Sequence, residues 1–147
     1  MSERIKACLA VICQSQQVLL ACRPVGKILA GYWEFPGGKL EAGEDCFSAL
    51  GRELTEEIGI TVALESMELL GNIEHRYSHG LVELAIIKVK HWSGIIRGCE
   101  QQQLIWYSAT RIQAADSRDP ANFDRAQLLP TTAAVLELLH ARAKLNE

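Results

Sequence analysis

Three glutamates near the middle of the chain have a spacing that could support metal chemistry. Glu53, Glu56 and Glu57 stand at positions i, i+3 and i+4, so on a helix their carboxylates lie on one side, within an arc of about 100°. Clustered carboxylates repel one another, but they are ligands that a hard divalent cation such as Mg²⁺ prefers. The same three residues are also typical of a solvated acidic helix face, so the neighbouring residues must decide between the two interpretations.

Those neighbours complete a longer pattern. Pro36-Gly37-Gly38-Lys39 comes before the glutamates, and glycines without Cβ atoms let the backbone approach a ligand closely. Five residues separate Gly38 from Glu44, seven separate Glu44 from Arg52, and the run Arg52-Glu53-Leu54-Thr55-Glu56-Glu57-Ile58-Gly59-Ile60 follows. Seven fixed residues at such spacing match by chance on the order of once in 10⁸ start positions. The pattern therefore favours a functional site over a solvated helix face.

The pattern from Gly38 to Ile60 is a complete Nudix box, and the rest of the chain resembles the MutT-like branch of the Nudix hydrolase superfamily. That branch includes 8-oxo-dGTP diphosphatases and CTP pyrophosphohydrolases. The similarity extends through Leu19–Pro24, Ala30–Lys39 and the position of Glu100 before Leu104–Tyr107. It implies the Nudix fold, an α/β (α+β) architecture with a mixed β-sheet sandwiched between helices. Residues 1–147 are expected to form a single Nudix hydrolase domain.

The resemblance also implies an activity and a cofactor. The expected reaction is Mg²⁺-dependent cleavage of a nucleoside triphosphate to the monophosphate and pyrophosphate, with Mn²⁺ as a substitute. Removal of 8-oxo-dGTP from the nucleotide pool is the first expectation, and hydrolysis of CTP or a modified dCTP is the alternative. A Nudix-fold module that binds a nucleotide without cleaving it is a rival of another class. Degenerate boxes mark such modules, whereas this box is intact.

By the same resemblance, metal ligands are expected at the Gly38 carbonyl, Glu53, Glu56, Glu57 and Glu100. Glu53 is expected to be the general base, because a carboxylate near the attacking water can take its proton. Glu57 and Glu100 are the alternatives for that role. Arg52 is expected to brace the loop and the helix, and Glu44 to orient the metal ligands.

Substrate contacts are expected outside the three glutamates. Arg23 and Lys39 are placed to meet phosphates or the nucleotide, and Phe35 to line the base pocket. MutT uses an Asn shortly before its last helix to contact the purine, and alignment of the final apolar run puts Thr132 at that place. The other candidate, Asn122, lies too far from that run. Thr offers one hydroxyl where Asn offers an acceptor and a donor, which weakens the expected preference for an oxidised purine.

Tyr77 adds a further alternative, since diadenosine-polyphosphate hydrolases of the superfamily carry a tyrosine at a similar distance after the box. Packing is the expected role of a single aromatic residue in a strand.

Composition narrows the class of protein. The 147 residues carry a net charge of −3 and 48% hydrophobic residues, which is ordinary for one globular domain. Basic residues do not outnumber acidic ones, which argues against direct nucleic-acid binding. The expected partner is a small nucleotide. Five cysteines without paired spacing are typical of a reducing cytoplasm. The first apolar run is too short to span a membrane, and a monomer or homodimer is expected.

Periodicity predicts two helices and several strands around the box. The first helix is expected over Asp45–Ile58, ended by Gly59, and the second over Thr131–Leu145. Pro36–Gly38 is expected to break the chain, and residues 108–129 to be irregular with one helical turn. Strands are predicted over Ile5–Cys13, Val18–Cys22, Tyr32–Phe35, Glu68–Tyr77, Leu81–Trp92 and Leu104–Tyr107, with a hairpin turn at Ser78-His79-Gly80.

Overall fold

A computed structural model describes residues 4–78, 80–116 and 123–145 of the chain. Asn122 and His79 lie outside the described residues. Two short 3₁₀ turns, Leu64–Ser66 and Arg125–Gln127, accompany the regular elements. The helices are α1 (Cys46–Ile58) and α2 (Pro130–Leu145). The strands are β1 (Arg4–Gln14), β2 (Gln17–Cys22), β3 (Trp33–Glu34), β4 (Gly37–Lys39), β5 (Met67–Tyr77), β6 (Gly80–Val89), β7 (Leu104–Tyr107) and β8 (Ile112–Ala114).

The strands form a mixed sheet in the order β5-β6-β1-β2-β7-β8, with β3 paired to β2 and β4 paired to β1. β1 runs parallel to β6, and the other pairs are antiparallel. β1 therefore holds the centre of the sheet. Its residues alternate between the two sheet faces, as the two-residue period of a strand requires.

Each face of the sheet carries its own apolar core. Cys8, Ala10 and Ile12 of β1 pack in the core that contains the buried side of α1. Leu9 and Val11 point the other way, into the core that α2 joins through residues such as Val135. The expected mixed sheet between helices is confirmed.

Helix α1 has a defined start and end. The Asp45 side chain accepts a hydrogen bond from the Ser48 backbone N–H, which is a standard N-cap. At the other end Gly59 adopts the left-handed conformation with φ of 74°, which a glycine accepts without a steric penalty. Leu50, Leu54 and Ile58 are buried along one side, and the helical spacing sets Glu53 and Glu57 on the border of that side. The predicted helix and its end are confirmed.

The predicted break is confirmed at Pro36, but Gly37 and Gly38 belong to a strand, and the prediction was incomplete after β7. Gly37–Lys39 forms β4, which pairs with β1. The pairing depends on a glycine at position 37, because a side chain there would meet the backbone of β1. A Cβ atom there would lie 2.1 Å from the Cys8 carbonyl oxygen. The stretch predicted to be irregular contains the short strand β8. Neither helix, within the part of the chain described, is long and apolar enough to cross a bilayer.

Candidate active site

The carboxylates of α1 lie against the glycines of β4. An ideal Cβ atom on Gly38 would stand 2.5 Å from the Glu53 carboxylate, so only glycine leaves room for that carboxylate. Glu57 Oε2 accepts a hydrogen bond of 3.1 Å from the Gly37 backbone N–H. The glycine pair thus brings the backbone of β4 within reach of both side chains.

Arg52 connects the loop before α1 to the helix itself. Its Nε and Nη2 donate to the two carboxylate oxygens of Glu44 at 2.9 Å each, and Nη2 also donates to the Lys39 carbonyl at 3.3 Å. Nη1 donates to Glu53 Oε1 at 3.1 Å. The hydrogen bonds from Arg52 hold the pKa of the Glu44 carboxyl at about 2. Arg52 is therefore placed between the loop and the Glu53 carboxylate, in the position expected of a brace.

Glu56 stands apart from the other glutamates. Its side chain is 58% exposed, and its carboxylate lies 3.5 Å from Arg52 Nη1. It does not line the cleft described next. Its role as a metal ligand therefore stays a prediction.

A cleft of about 350 Å³ opens beside β4, and four carboxylates line it: Glu34, Glu53, Glu57 and Glu100. Burial, and then the charge of Glu53, raise the pKa of Glu57 from 4.5 to about 9. Burial also raises the pKa of Glu53, although the hydrogen bond from Arg52 acts in the opposite direction. The cleft therefore gathers acidic side chains whose charged forms are disfavoured unless a positive charge is bound.

The loop that carries Glu100 is tied to the end of α1 by a buried glutamine. Gln102, which is 5% exposed, donates from Nε2 to the Glu57 carbonyl at 2.9 Å. Its Oε1 accepts from the Glu100 backbone N–H at 2.9 Å. Because Gln102 is held from both sides, it fixes the backbone of Glu100 next to Glu57. Sequence analysis missed this residue, since a lone glutamine in a loop carries no recognisable spacing.

The cleft has the chemistry of a divalent-cation site. All its acidic donors are oxygens, which hard cations prefer, and the high pKa of Glu57 marks a place where a positive charge would be stabilising. Within the residues described, no group of three or more His, Cys, Asp or Glu side chains is already gathered as a ligand cluster. The oxygen donors that line the cleft nevertheless fit a divalent cation.

An apolar cavity of about 290 Å³ adjoins the cleft. The two share part of their lining, namely Arg23, Glu34, Phe35, Gly37, Gly38 and Lys39. Half of the remaining lining residues come from β1 and β6, and Thr132 lines the cavity from the start of α2. The structure thus brings the expected substrate contacts Arg23, Phe35, Lys39 and Thr132 around one cavity.

Glu34 is a second residue that sequence analysis missed. Arg23 Nη1 donates to both of its carboxylate oxygens, at 3.1 and 3.0 Å. Burial raises the pKa of Glu34, and the Arg23 charge opposes that shift. The two residues meet because β2 pairs with β3 in a register that sets Ala21 opposite Glu34. This register depends on the fold, so the spacing in sequence gave no signal.

Thr132 lines the cavity, but its hydroxyl proton is already donated within the protein. Its Oγ1 donates to the Trp33 carbonyl at 2.9 Å, and the residue is 1% exposed. Its proton therefore serves the packing of α2 on β3, and the expected contact between Thr132 and a nucleobase stays a prediction.

The position of Gly38 leads to a first expected result. Gly38→Ala should push the Glu53 carboxylate aside, because the new Cβ meets the end of a flexible side chain rather than backbone. We expect kcat/KM to fall about a hundredfold, the cost of displacing a reacting group by about 1 Å, with the melting temperature nearly unchanged. Gly71→Ala is the matched control, since nothing lies within 4 Å of a Cβ there. Steady-state kinetics and thermal melts measure both, and full activity of Gly38→Ala would refute the close approach.

Comparison with known proteins shows the family of the chain. A family model described as the NUDIX domain matches residues 7–121. The CTP pyrophosphohydrolase of Escherichia coli (strain K12) is 36% identical over 104 residues, which cover 71% of this chain and 76% of that protein. The 8-oxo-dGTP diphosphatase of Haemophilus influenzae is 39% identical over 106 residues, covering 72% and 76%.

Two solved structures share both fold and sequence with this chain. The E. coli ORF135 protein, determined in solution, has a TM-score of 0.72 at 30% identity and covers 95% of this chain and 91% of its own. A structure from the study of MutT from Aliivibrio salmonicida and Vibrio cholerae has a TM-score of 0.64 at 31% identity, covering 92% and 99%. The family match, the identities and the carboxylate cleft beside β4 lead to one assignment: the chain belongs to the Nudix family and is a Nudix hydrolase.

Proposed function

We propose that the chain is a Mg²⁺-dependent nucleoside triphosphate pyrophosphohydrolase that releases a nucleoside monophosphate and pyrophosphate. The observation that carries this proposal is the junction of two cavities. A cleft of carboxylates adjoins an apolar cavity of about 290 Å³, close to the lower end of the range of small-molecule pockets, about 300–1,000 Å³. A cavity of this size can hold one nucleoside. Arg23 and Lys39 line both cavities, where they can bind the phosphates between them.

The metal ligands we propose are the Gly38 carbonyl, Glu53, Glu56, Glu57 and Glu100. A divalent cation bound there would neutralise charge on phosphate oxygens and lower the pKa of a bound water. Glu53 takes the proton of the attacking water through its carboxylate, which lies against Gly38. The Arg52 hydrogen bond at 3.1 Å opposes protonation of Glu53, so this carboxylate is better suited to accept a proton than Glu57. Glu44 keeps Arg52 in place through the paired hydrogen bonds at 2.9 Å.

The substrate we propose first is 8-oxo-dGTP, so the enzyme would cleanse the nucleotide pool and avoid mutation. Support comes from the relatives named 8-oxo-dGTP diphosphatase, including the H. influenzae protein. CTP is the second candidate, because a relative named CTP pyrophosphohydrolase is 36% identical. The commitment of the Thr132 hydroxyl to Trp33 favours a base contact elsewhere in the cavity. The free cysteines agree with a cytoplasmic location, which we propose as well.

One assay tests the reaction and the substrate together. The protein is incubated with 8-oxo-dGTP, CTP and the other common nucleoside triphosphates, with Mg²⁺ and inorganic pyrophosphatase, and phosphate release is followed. We expect turnover that chelation with EDTA abolishes, with the highest kcat/KM for 8-oxo-dGTP. Faster turnover of CTP than of 8-oxo-dGTP would reject the cleansing role, and no turnover of any nucleotide would favour the binding module over the enzyme.

A further inference from the structure

The lining of the apolar cavity is of two kinds. The part shared with the carboxylate cleft contains Arg23, Glu34 and Lys39. Among the residues that the structure describes, three hydroxyl side chains line the cavity without lining the cleft: Tyr77, Thr131 and Thr132. A nucleotide whose phosphates lie in the cleft would place its base in the unshared part of the cavity, which these hydroxyls and apolar residues of β1 and β6 line.

Tyr77 and Thr131 form a pair that is suited to bind a polar ligand edge. Tyr77 Oη and Thr131 Oγ1 lie 3.2 Å apart, and either hydroxyl can be the donor. A hydroxyl has one proton and two lone pairs. Whichever way the bond runs, Thr131 keeps at least one lone pair for an N–H group of a ligand. Thr132 can also accept, but its proton is directed to the Trp33 carbonyl, so it cannot donate to a ligand.

The pair is held by the elements on both sides of it. Tyr77 belongs to β5 and Thr131 to the first turn of α2, so the hydrogen bond joins the edge of the sheet to the helix. The His75 ring meets the Tyr77 ring edge to face, with centroids 4.5 Å apart, which restricts the tyrosine ring. Thr131 is 9% exposed. A ligand edge would therefore meet two hydroxyls whose positions are already fixed.

We infer that the Tyr77–Thr131 hydroxyl pair binds the polar edge of the nucleobase and determines base specificity. The inference rests on the proposed function for the nature of the ligand, a nucleotide with its phosphates in the carboxylate cleft. It assigns the base contact to Thr131 and β5, one residue before the position that the alignment indicates. It also gives Tyr77 a role in binding a single base, distinct from the diadenosine-polyphosphate alternative.

Ligand binding tests the inference without requiring turnover. The dissociation constants of 8-oxo-dGMP, CMP and ribose 5-phosphate are measured by calorimetry for the wild type, Tyr77→Phe, Thr131→Val and Thr131→Ser. Ribose 5-phosphate carries a phosphate and a sugar but no base, so it reports the cleft alone. Tyr107→Phe is the matched control, because Tyr107 Oη accepts a hydrogen bond from Arg125 and the residue does not line the cavity.

We expect Tyr77→Phe and Thr131→Val to weaken binding of at least one of the two monophosphates about tenfold, which corresponds to one lost hydrogen bond of about 1.4 kcal/mol. Binding of ribose 5-phosphate should not change. Thr131→Ser, which keeps the hydroxyl, should retain most of the affinity, and Tyr107→Phe should match the wild type.

Two results would overturn the inference. One is unchanged monophosphate binding by both hydroxyl-deleted variants. The other is equal weakening for the monophosphates and for ribose 5-phosphate, which would mean that the pair serves only to attach α2 to the sheet. A wild type that hydrolyses no triphosphate but shows the expected binding pattern would reject the proposed reaction and leave the base contact supported.

Discussion

Replacing Glu53 with glutamine is expected to lower kcat at least about a hundredfold, the usual contribution of a general base. Glutamine has nearly the same shape and can still accept the hydrogen bond that Arg52 Nη1 donates to Glu53 Oε1. The replacement therefore removes the capacity to take a proton and the negative charge, while the space beside Gly38 stays filled. The expected change is large because the carboxylate lines the cleft and lies against Gly38.

Rates with 8-oxo-dGTP and CTP at saturating Mg²⁺ measure this effect. Glu68→Gln is the matched control, since Glu68 lies on β5 and pairs at the surface with Lys90 at 3.2 Å. It removes the same charge from the molecule outside the cleft. A Glu53→Gln enzyme with near-normal kcat would move the role of general base to Glu57 or Glu100.

Replacing Glu57 with glutamine is expected to abolish activity and, in the absence of metal, to stabilise the protein. The pKa of Glu57 is raised from 4.5 to about 9, chiefly by burial. Its protonated form therefore contributes stability that is complete below about pH 4.5 and is lost as the pH rises towards 9. Glutamine stays neutral throughout. Across this window the free energy of unfolding of the variant should exceed that of the wild type, by up to about 5 kcal/mol or roughly 10–20 °C in Tm at pH 8.

Thermal melts in EDTA between pH 5 and pH 9 measure the gain, which should be close to zero at pH 5. Added Mg²⁺ should raise the Tm of the wild type more than that of Glu57→Gln, because the cation offsets the charge that the variant lacks. If Glu57→Gln melts below the wild type at pH 8 in EDTA, the carboxylate is not the destabilising group. A higher Tm of Glu57→Gln in EDTA, together with the larger effect of Mg²⁺ on the wild type, would show that the Glu57 carboxylate lowers the stability of the metal-free protein and serves the metal site.

Local patterns in the sequence are sufficient for α1 and its glutamates. The apolar period, the capping Asp45 and the terminal Gly59 all lie within one continuous segment, so each is readable without the rest of the chain. The box then sets Glu53 and Glu57 on the border of the buried face, as the structure has them. Predictions of this kind succeed because the interactions involved are close in sequence.

The remaining parts of the site depend on contacts between distant segments. The glycines of β4 were expected to break the chain. They form a strand because they pair with β1, which is distant in sequence. Glu34 and Gln102 are ordinary residues in a strand and a loop until the sheet register and the end of α1 bring them to the cleft. The direction of the Thr132 hydroxyl is likewise decided by the Trp33 carbonyl, which no alignment of the last helix reveals.

The central position of β1 sets the order in which the enzyme can be assembled during synthesis. β1 pairs in parallel with β6, where Arg4 lies opposite Leu81 and Ile12 opposite Val89. β1 therefore leaves the ribosome before its partner β6, and the closure of so long a loop makes this pairing slow. β4 rests on β1, so the glycines that receive Glu53 and Glu57 lack a complete support until more than half of the chain has emerged. A nascent chain stalled before β6 should accordingly have no cation affinity at this cleft, however complete its Nudix box.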